Sequence, residues 1–293
     1  MIIVTGANGQ LGRAIVEQLL GRIPAEQIGV SVRDPEKAQG LAERGVRVRP
    51  GDFADAASLA HAFEGASQVL IVSSGTTGGT AVGQHRTAID AAKAAGAGRI
   101  LYTSHMGANP SSPFPPMADH AATEAALRES GVAFTSLRNG FYATTTLWLL
   151  GAALQTGELV ALEDGPVSWT AHADLAQAAA IALTQENLDG ITPALTGSEA
   201  IDMAGAAAIA AEMTGRRIRR VVVPESEYRA GLIARGLPEP AVDMQMGLFA
   251  ASRLGDFAEV DPTLARLIGR PPTSLRDVLA AADLAGQVTA GHR

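Results

Sequence analysis

The chain predicts an α/β fold in which a doubly wound parallel sheet is followed by a smaller C-terminal α+β region. Three observations carry this. Short β-branched runs alternate with alanine- and leucine-rich helical stretches up to about residue 140. The strand runs are apolar at consecutive positions, as strands covered on both faces are. A glycine-spaced turn joins the first strand to the first helix.

The elements follow in order. MIIVT reads as strand, QLGRAIVEQLL as helix, QIGVSV as strand, PEKAQGLAERG as helix and VRVRP as strand. DAASLAHAFEG, SQVLIVSS, GQHRTAIDAAKAAG and RILYTS repeat the alternation, and HAATEAALRESG with VAFTSLRN adds one more helix and strand. Beyond residue 140 it loosens into a strand ELVAL, a helix HADLAQAAAIAL, a strand TPALTG, a helix AGAAAIAAEMTG and a mostly helical tail from Pro224. Residues 1–140 are expected to bind a dinucleotide. Residues 141–293 are expected to form a substrate-binding region interwoven with the first and packed over the carboxyl edge of the sheet.

Composition narrows the function. A chain of 293 residues, 47% hydrophobic and 18% charged, folds around a full core. Its net charge of -7 gives no attraction to nucleic acid or an anionic membrane. The basic run RRIRR, ending at Arg220, reads as a solvated strand edge. With no cysteine, thiolate nucleophiles, disulfides and cysteine-held metals are excluded, and no spacing of His, Asp and Glu suggests a metal site. The opening MIIVTG shows no basic leader or apolar h-region, and the uncharged stretch 139–157 is too polar to span a bilayer. The expected location is the cytoplasm.

TGANGQLG sets Gly6, Gly9 and Gly12 three residues apart between strand and helix, the arrangement that lets a Rossmann-type turn receive a pyrophosphate. At the end of the second strand the sequence reads SVRDPEKA. Arg33 can stack on adenine and meet a ribose phosphate, with Lys37 one helical turn on, which favours NADPH over NADH. A register one residue later would instead offer Asp34 to the ribose hydroxyls. Asp52 and Phe53 follow the third strand, where a carboxylate can accept from the adenine amino group. Ser73, Ser74 and Gly75 follow the fourth, small enough for a ribose or nicotinamide to approach the backbone.

A dehydrogenase acting on an ordinary ketone needs an acid for the developing alkoxide. Short-chain dehydrogenases use a tyrosine with a lysine four residues later. Here the residues four beyond Tyr102, Tyr142 and Tyr228 are Met106, Thr146 and Leu232, and the only lysines are Lys37 and Lys93. The segment where that pair is expected holds HAATE instead. His120 and Glu124, four apart on a helix, could act together, Glu124 holding the imidazole tautomer, or Glu124 could pair with Arg128 on the helix surface. A structural or substrate-orienting role is favoured for His120 over that of general acid.

TGANGQLG, SVRDPEKA, GDF, the segment from His120 to Glu124 and LRNGFY together resemble the NmrA-like atypical short-chain dehydrogenases, in particular the quinone and triphenylmethane dye reductases. The resemblance covers most of the chain and extends to TGSEAIDMAGAAAIAAEMTGR. It implies NADPH binding through Gly6, Asn8, Gly9, Gln10, Leu11, Gly12 and Arg33, with Asn139 and Tyr142 near the nicotinamide, and it implies a homodimer. The chemistry agrees, because a quinone spreads an arriving hydride's charge over its ring and a cationic dye is neutralised by it. Position and electrostatics then suffice.

His105, in the turn after the fifth strand, faces the expected cleft as a substrate contact. Phe141, Tyr142 and Trp148 are taken as core at helical spacing with one aromatic face open to a planar acceptor, and Gln84 and His85 as helix surface. His172 and Asp174 lead a helix, where the dipole accounts for the aspartate. Two other functions share these features: a non-catalytic NADP(H) sensor signalling to a protein partner, as in fungal NmrA-like proteins, and an isomerase or epimerase that retains its cofactor.

Overall fold

The computed structural model describes residues 1–185 and 188–282. The sheet-forming part runs β1 (Ile2–Thr5), α1 (Gln10–Leu20), β2 (Ile28–Val32), α2 (Gln39–Ala42), β3 (Arg47–Pro50), α3 (Ala56–Phe63), β4 (Gln68–Ile71), α4 (Gly79–Ala94), β5 (Arg99–His105), α5 (Pro115–Ser130) and β6 (Ala133–Asn139). There follow β7 (Phe141–Tyr142), α6 (Thr145–Thr156), β8 (Glu158–Ala161), β9 (Trp169–Thr170), α7 (His172–Thr184), β10 (Gly190–Ile191), α8 (Met203–Thr214) and β11 (Arg219–Val222). Helices α9 (Glu225–Ala234), α10 (Glu239–Arg253), α11 (Thr263–Ile268) and α12 (Leu275–Ala281) complete the described chain.

Seven strands form one parallel sheet in the order β10-β6-β5-β4-β1-β2-β3, as the alternation predicts. The order reverses between β1 and β4, and a crevice opens at the carboxyl ends of the strands at such a point. β1, β2 and most of β4 and β5 are buried on both faces, which is why their sequences do not alternate. One face is covered by α1 and α7, with Ile15, Val16 and Leu19 against Leu175, Ala178 and Ala179. The other is covered by α3, α4 and α5, around Phe63, Ile89, Tyr102 and Leu127. Each fully buried branched side chain of this kind stabilises the fold by about 1.5–3 kcal/mol.

Residues after 140 contribute to both halves. α7 packs on α1 and β10 extends the main sheet, whereas α6, β8, β11 and α8 to α10 build a separate core around Leu150, Tyr228 and Phe249. Asp174 does more than answer a helix dipole. Fully buried, it accepts from the Thr273 amide at 2.6 Å and from Arg270, pinning the segment before α12 to α7.

Four local expectations differ. PEKAQGLAERG forms a 3-10 turn over Pro35–Ala38 and only a short α2. TPALTG is not a strand: Leu195 makes one bridge to Asn139, and the adjacent strand is β10. Phe141 and Tyr142 lie on β7, paired with Trp169 and Thr170 of β9, so they share no helical face with Trp148 on α6. RRIRR enters the strand β11, where Arg220 is largely buried in an ion pair with Asp164. The tail expectation beyond residue 282 lies outside the described residues. Among the described residues, no helix is long and apolar enough to cross a membrane, and no group of three or more His, Cys, Asp or Glu could hold a metal ion.

Candidate active site

The turn after β1 is built for an anion. Gly6 has φ +64°, and its carbonyl accepts from the Gly9 amide at 2.9 Å. A Cβ on Gly12 would stand 2.4 Å from the Gly6 carbonyl oxygen, so only glycine lets the helix approach so closely. α1 starts at Gln10 with no side-chain cap and no acidic residue in its first turn, leaving its leading N–H groups and positive dipole end open. Leu11 turns its side chain into the core and offers only backbone here.

This turn opens into a groove of about 630 Å³. Gly6, Asn8 and Gly9 line it with Arg33, Lys37, Asp52, Phe53, Ser73, Ser74 and Gly75, so these predicted contacts from four strand ends meet in one place. Asn8 donates to the Asp34 carbonyl at 2.8 Å and so locks the first two strand ends together. The Asp34 carboxylate caps the next turn, accepting from the Glu36 amide at 3.2 Å, and pairs with Lys37 at 3.3 Å. It is thereby engaged, and Arg33 lines the groove beside it. Asp52 accepts from the Ala54 amide at 2.9 Å.

Gln84 and His85 correct the surface reading. Gln84 lines the groove and accepts from Ser74 at 2.6 Å and Thr76 at 3.0 Å. His85 is 2% exposed and bonded to the Ser74 amide and to Thr123. Burial lowers its pKa to about 4. Sequence offers one weak signal for this: on α4, His85 shares a face with Ala81, Ala88 and Ala92, all buried.

At the carboxyl ends of β5 and β6 the structure gathers His105, His120, Asn139, Phe141 and Tyr142. His105 stands opposite Asn139 in the strand register. Its Nδ1 accepts from the Gly107 amide at 3.1 Å, which leaves the ring proton on Nε2. The ring stacks against His120, centroids 6.1 Å apart, and meets Phe141 and Phe257 edge-on at 5.2 and 5.5 Å. Burial lowers its pKa to about 3.

His120 and Glu124 are not a pair. His120 bonds through Nδ1 to the Tyr102 hydroxyl at 2.7 Å, and burial, with His105 and His85 adding to it, pushes its pKa well below the ordinary value. Glu124 is 1% exposed and turns into the sheet. It accepts from Ser104 at 2.8 Å, Ser136 at 3.1 Å and Arg138 at 3.0 and 2.8 Å. It therefore orients no imidazole and does not reach Arg128. These four donors come from β5 and β6 and are invisible in the helical spacing. Burial raises the Tyr102 pKa far above its ordinary value, so this phenol stays protonated.

Asn139 is 2% exposed, and its Oδ1 has no hydrogen-bond partner. The adjacent Tyr142 hydroxyl has a raised pKa through burial, partly offset by its hydrogen bond with Asn139, and its ring packs on His172 at 4.2 Å. A buried acceptor without a protein donor calls for a partner from outside the chain, water or ligand. Phe141 is buried among Phe114, Trp169 and Phe257. Trp148 is 56% exposed and lines a different cavity of about 460 Å³ with Tyr228 and Gln245, no residue of which lines the cofactor groove.

A family profile described as NAD(P)H-binding matches residues 6–146. Quinone oxidoreductase 2 of Escherichia coli (strain K12) is 37% identical over 278 residues, covering 94% of this chain and 96% of that protein. This chain belongs to the NmrA-like atypical short-chain dehydrogenase/reductase family. Two solved structures agree with that membership. The crystal structure of the Escherichia coli NADPH-dependent quinone oxidoreductase with NADPH is 35% identical, with a TM-score of 0.89 and full coverage of both chains. The Citrobacter sp. triphenylmethane reductase complexed with NADP(H) is 34% identical, with a TM-score of 0.89 over 96% of this chain and 100% of that one. In this NmrA-like chain the uncapped helix, the groove-lining Arg33 and the orphaned Asn139 oxygen all fit the cofactor that the profile names.

Proposed function

We propose that the protein is an NADPH-dependent reductase that passes hydride directly to a conjugated acceptor, a quinone or a dye. One observation carries the choice of acceptor: the segment that replaces the tyrosine-lysine pair has closed on itself. Glu124 is saturated by Ser104, Ser136 and Arg138, and His120 is neutral and tied to Tyr102. No strong acid faces the reaction, so the acceptor must absorb the charge itself. The relatives' names, quinone oxidoreductase and triphenylmethane reductase, denote acceptors of this kind.

Bound NADPH supplies the hydride. Gly6, Asn8, Gly9, Gln10, Leu11 and Gly12 receive its pyrophosphate at the start of α1, and Arg33 with Lys37 receives the ribose phosphate. Asp52 and Phe53 flank the adenine, and Ser73 to Gly75 flank the ribose. Asn139 accepts from the carboxamide end, and Tyr142 beside it orients the ring. His105 and Phe141 wall the acceptor side, and His120 offers an orienting hydrogen bond rather than a proton. Residues 1–140 hold the cofactor, and residues 141–293 roof the acceptor.

The partner is a small molecule in the cytoplasm, met by a homodimer. A chain of net charge -7 repels nucleic acid. NADPH oxidation should proceed with 1,4-benzoquinone and a triphenylmethane dye and not with simple ketones. Turnover of ketones alone would overturn the reading, and tight NADP(H) binding without turnover of any acceptor would favour the sensor.

A further inference from the structure

His85 lies outside the groove, yet its two ring nitrogens have partners whose roles leave no choice. The Ser74 backbone N–H must donate, so Nε2, 2.8 Å away, accepts. The proton is then on Nδ1, which donates to the Thr123 hydroxyl at 2.8 Å. That hydroxyl in turn donates to the Asp119 carbonyl at 2.8 Å and also reaches the Tyr102 hydroxyl, so the tautomer set at Ser74 is carried on to α5. Burial keeps the ring neutral, as the tautomer requires.

The relay joins two working parts. Ser74 belongs to the loop that lines the cofactor groove, and Thr123 and Asp119 lie on α5, the helix that carries His120. A second tether runs parallel to it, because the Gly78 amide donates to the Asp119 carboxylate at 2.7 Å. The His85 ring also packs edge-on against Tyr102, centroids 5.2 Å apart, and Tyr102 is the residue that holds His120.

We infer that His85 is a positioning residue: fixed as the Nδ1–H tautomer by Thr123, it sets the Ser74 amide and couples the cofactor loop to the His120 helix. This rests on the reading that Ser73 to Gly75 meet the cofactor. An imidazole suits the task because one rigid ring presents an acceptor and a donor at once. An apolar residue of similar size would fill the space and leave the half-buried Ser74 amide without its acceptor.

The test compares Thr123→Val, which deletes the hydroxyl at nearly constant volume, with Thr123→Ser, which keeps it. Calorimetry with NADPH should give a Kd raised about tenfold in Thr123→Val and held near wild type in Thr123→Ser. Nitrogen-15 spectra of the folded wild type should show His85 protonated at Nδ1 and bare at Nε2, a readout that needs no variant to fold. A wild-type ring protonated at Nε2 would overturn the inference. So would a lowered melting temperature in Thr123→Val with unchanged NADPH affinity, since that is what packing alone would do. Failure of the wild type to bind NADPH would bring down the cofactor reading as well, and is thereby distinguished.

Discussion

Two places at the carboxyl edge of the sheet use their polar groups in opposite ways. The turn after β1 leaves them open: α1 starts uncapped, and Arg33 lines the groove. Helix α5 closes them: Glu124 spends its carboxylate on three side chains, and His120 bonds to a buried phenol. Unsatisfied groups in a concave site point to a ligand, and satisfied buried ones point to the fold. The cofactor end therefore presents groups open to a ligand, and at the place of the usual acid the carboxylate of Glu124 is taken up by the fold.

Acid should break the closed region first and most strongly. The histidines there have depressed folded-state pKa values, about 4 for His85, about 3 for His105 and well below normal for His120. Between those values and about 6.5 the unfolded chain binds more protons than the folded one. Stability is thus whole above pH 6.5 and is lost as pH falls toward 4. His85 alone accounts for about 2 kcal/mol between pH 7 and 5. Urea midpoints across that range measure it, and a flat profile would mean that these rings are not buried neutral.

Glu124→Ala comes next. It strands Arg138 and two buried hydroxyls, and should cost about 3 kcal/mol of unfolding free energy in urea. In the soluble variant NADPH affinity should stay near wild type. A loss of cofactor binding without loss of stability would reverse the assignment of the two regions.

Gly12→Ala probes the open side. Its Cβ would collide with the Gly6 carbonyl, so NADPH Kd should rise about a hundredfold, or about 2.7 kcal/mol. Arg33→Ala should weaken NADPH about tenfold and leave NADH nearly unchanged, as calorimetry with both nucleotides would show.

The same contrast decides what was legible beforehand. The glycine turn and the parallel alternation are local patterns, and both stand where the spacing puts them. The ion pair of Glu124 was not legible, because the helical period shows which residues share a face and not which strands lie under it. The burial of His85 is illegible for the same reason: it depends on how α4 meets α5 and Tyr102. Phe141 and Tyr142 stand at helical spacing from Trp148 in the sequence, yet pairing with Trp169 and Thr170 makes them strand. The second helix begins as a 3-10 turn at Pro35 and leaves only a short α2, and Leu195 makes a single bridge where a strand is expected.

The central claim is that hydride transfer here needs no acid from the protein, and turnover of His120→Ala with NADPH and 1,4-benzoquinone tests it most directly. General acid catalysis contributes about 10²–10⁴-fold. The account predicts a kcat within about tenfold of wild type, the loss expected from one orienting hydrogen bond. A fall of a hundredfold or more, restored at low pH or by added imidazole, would make His120 the proton donor and contradict it.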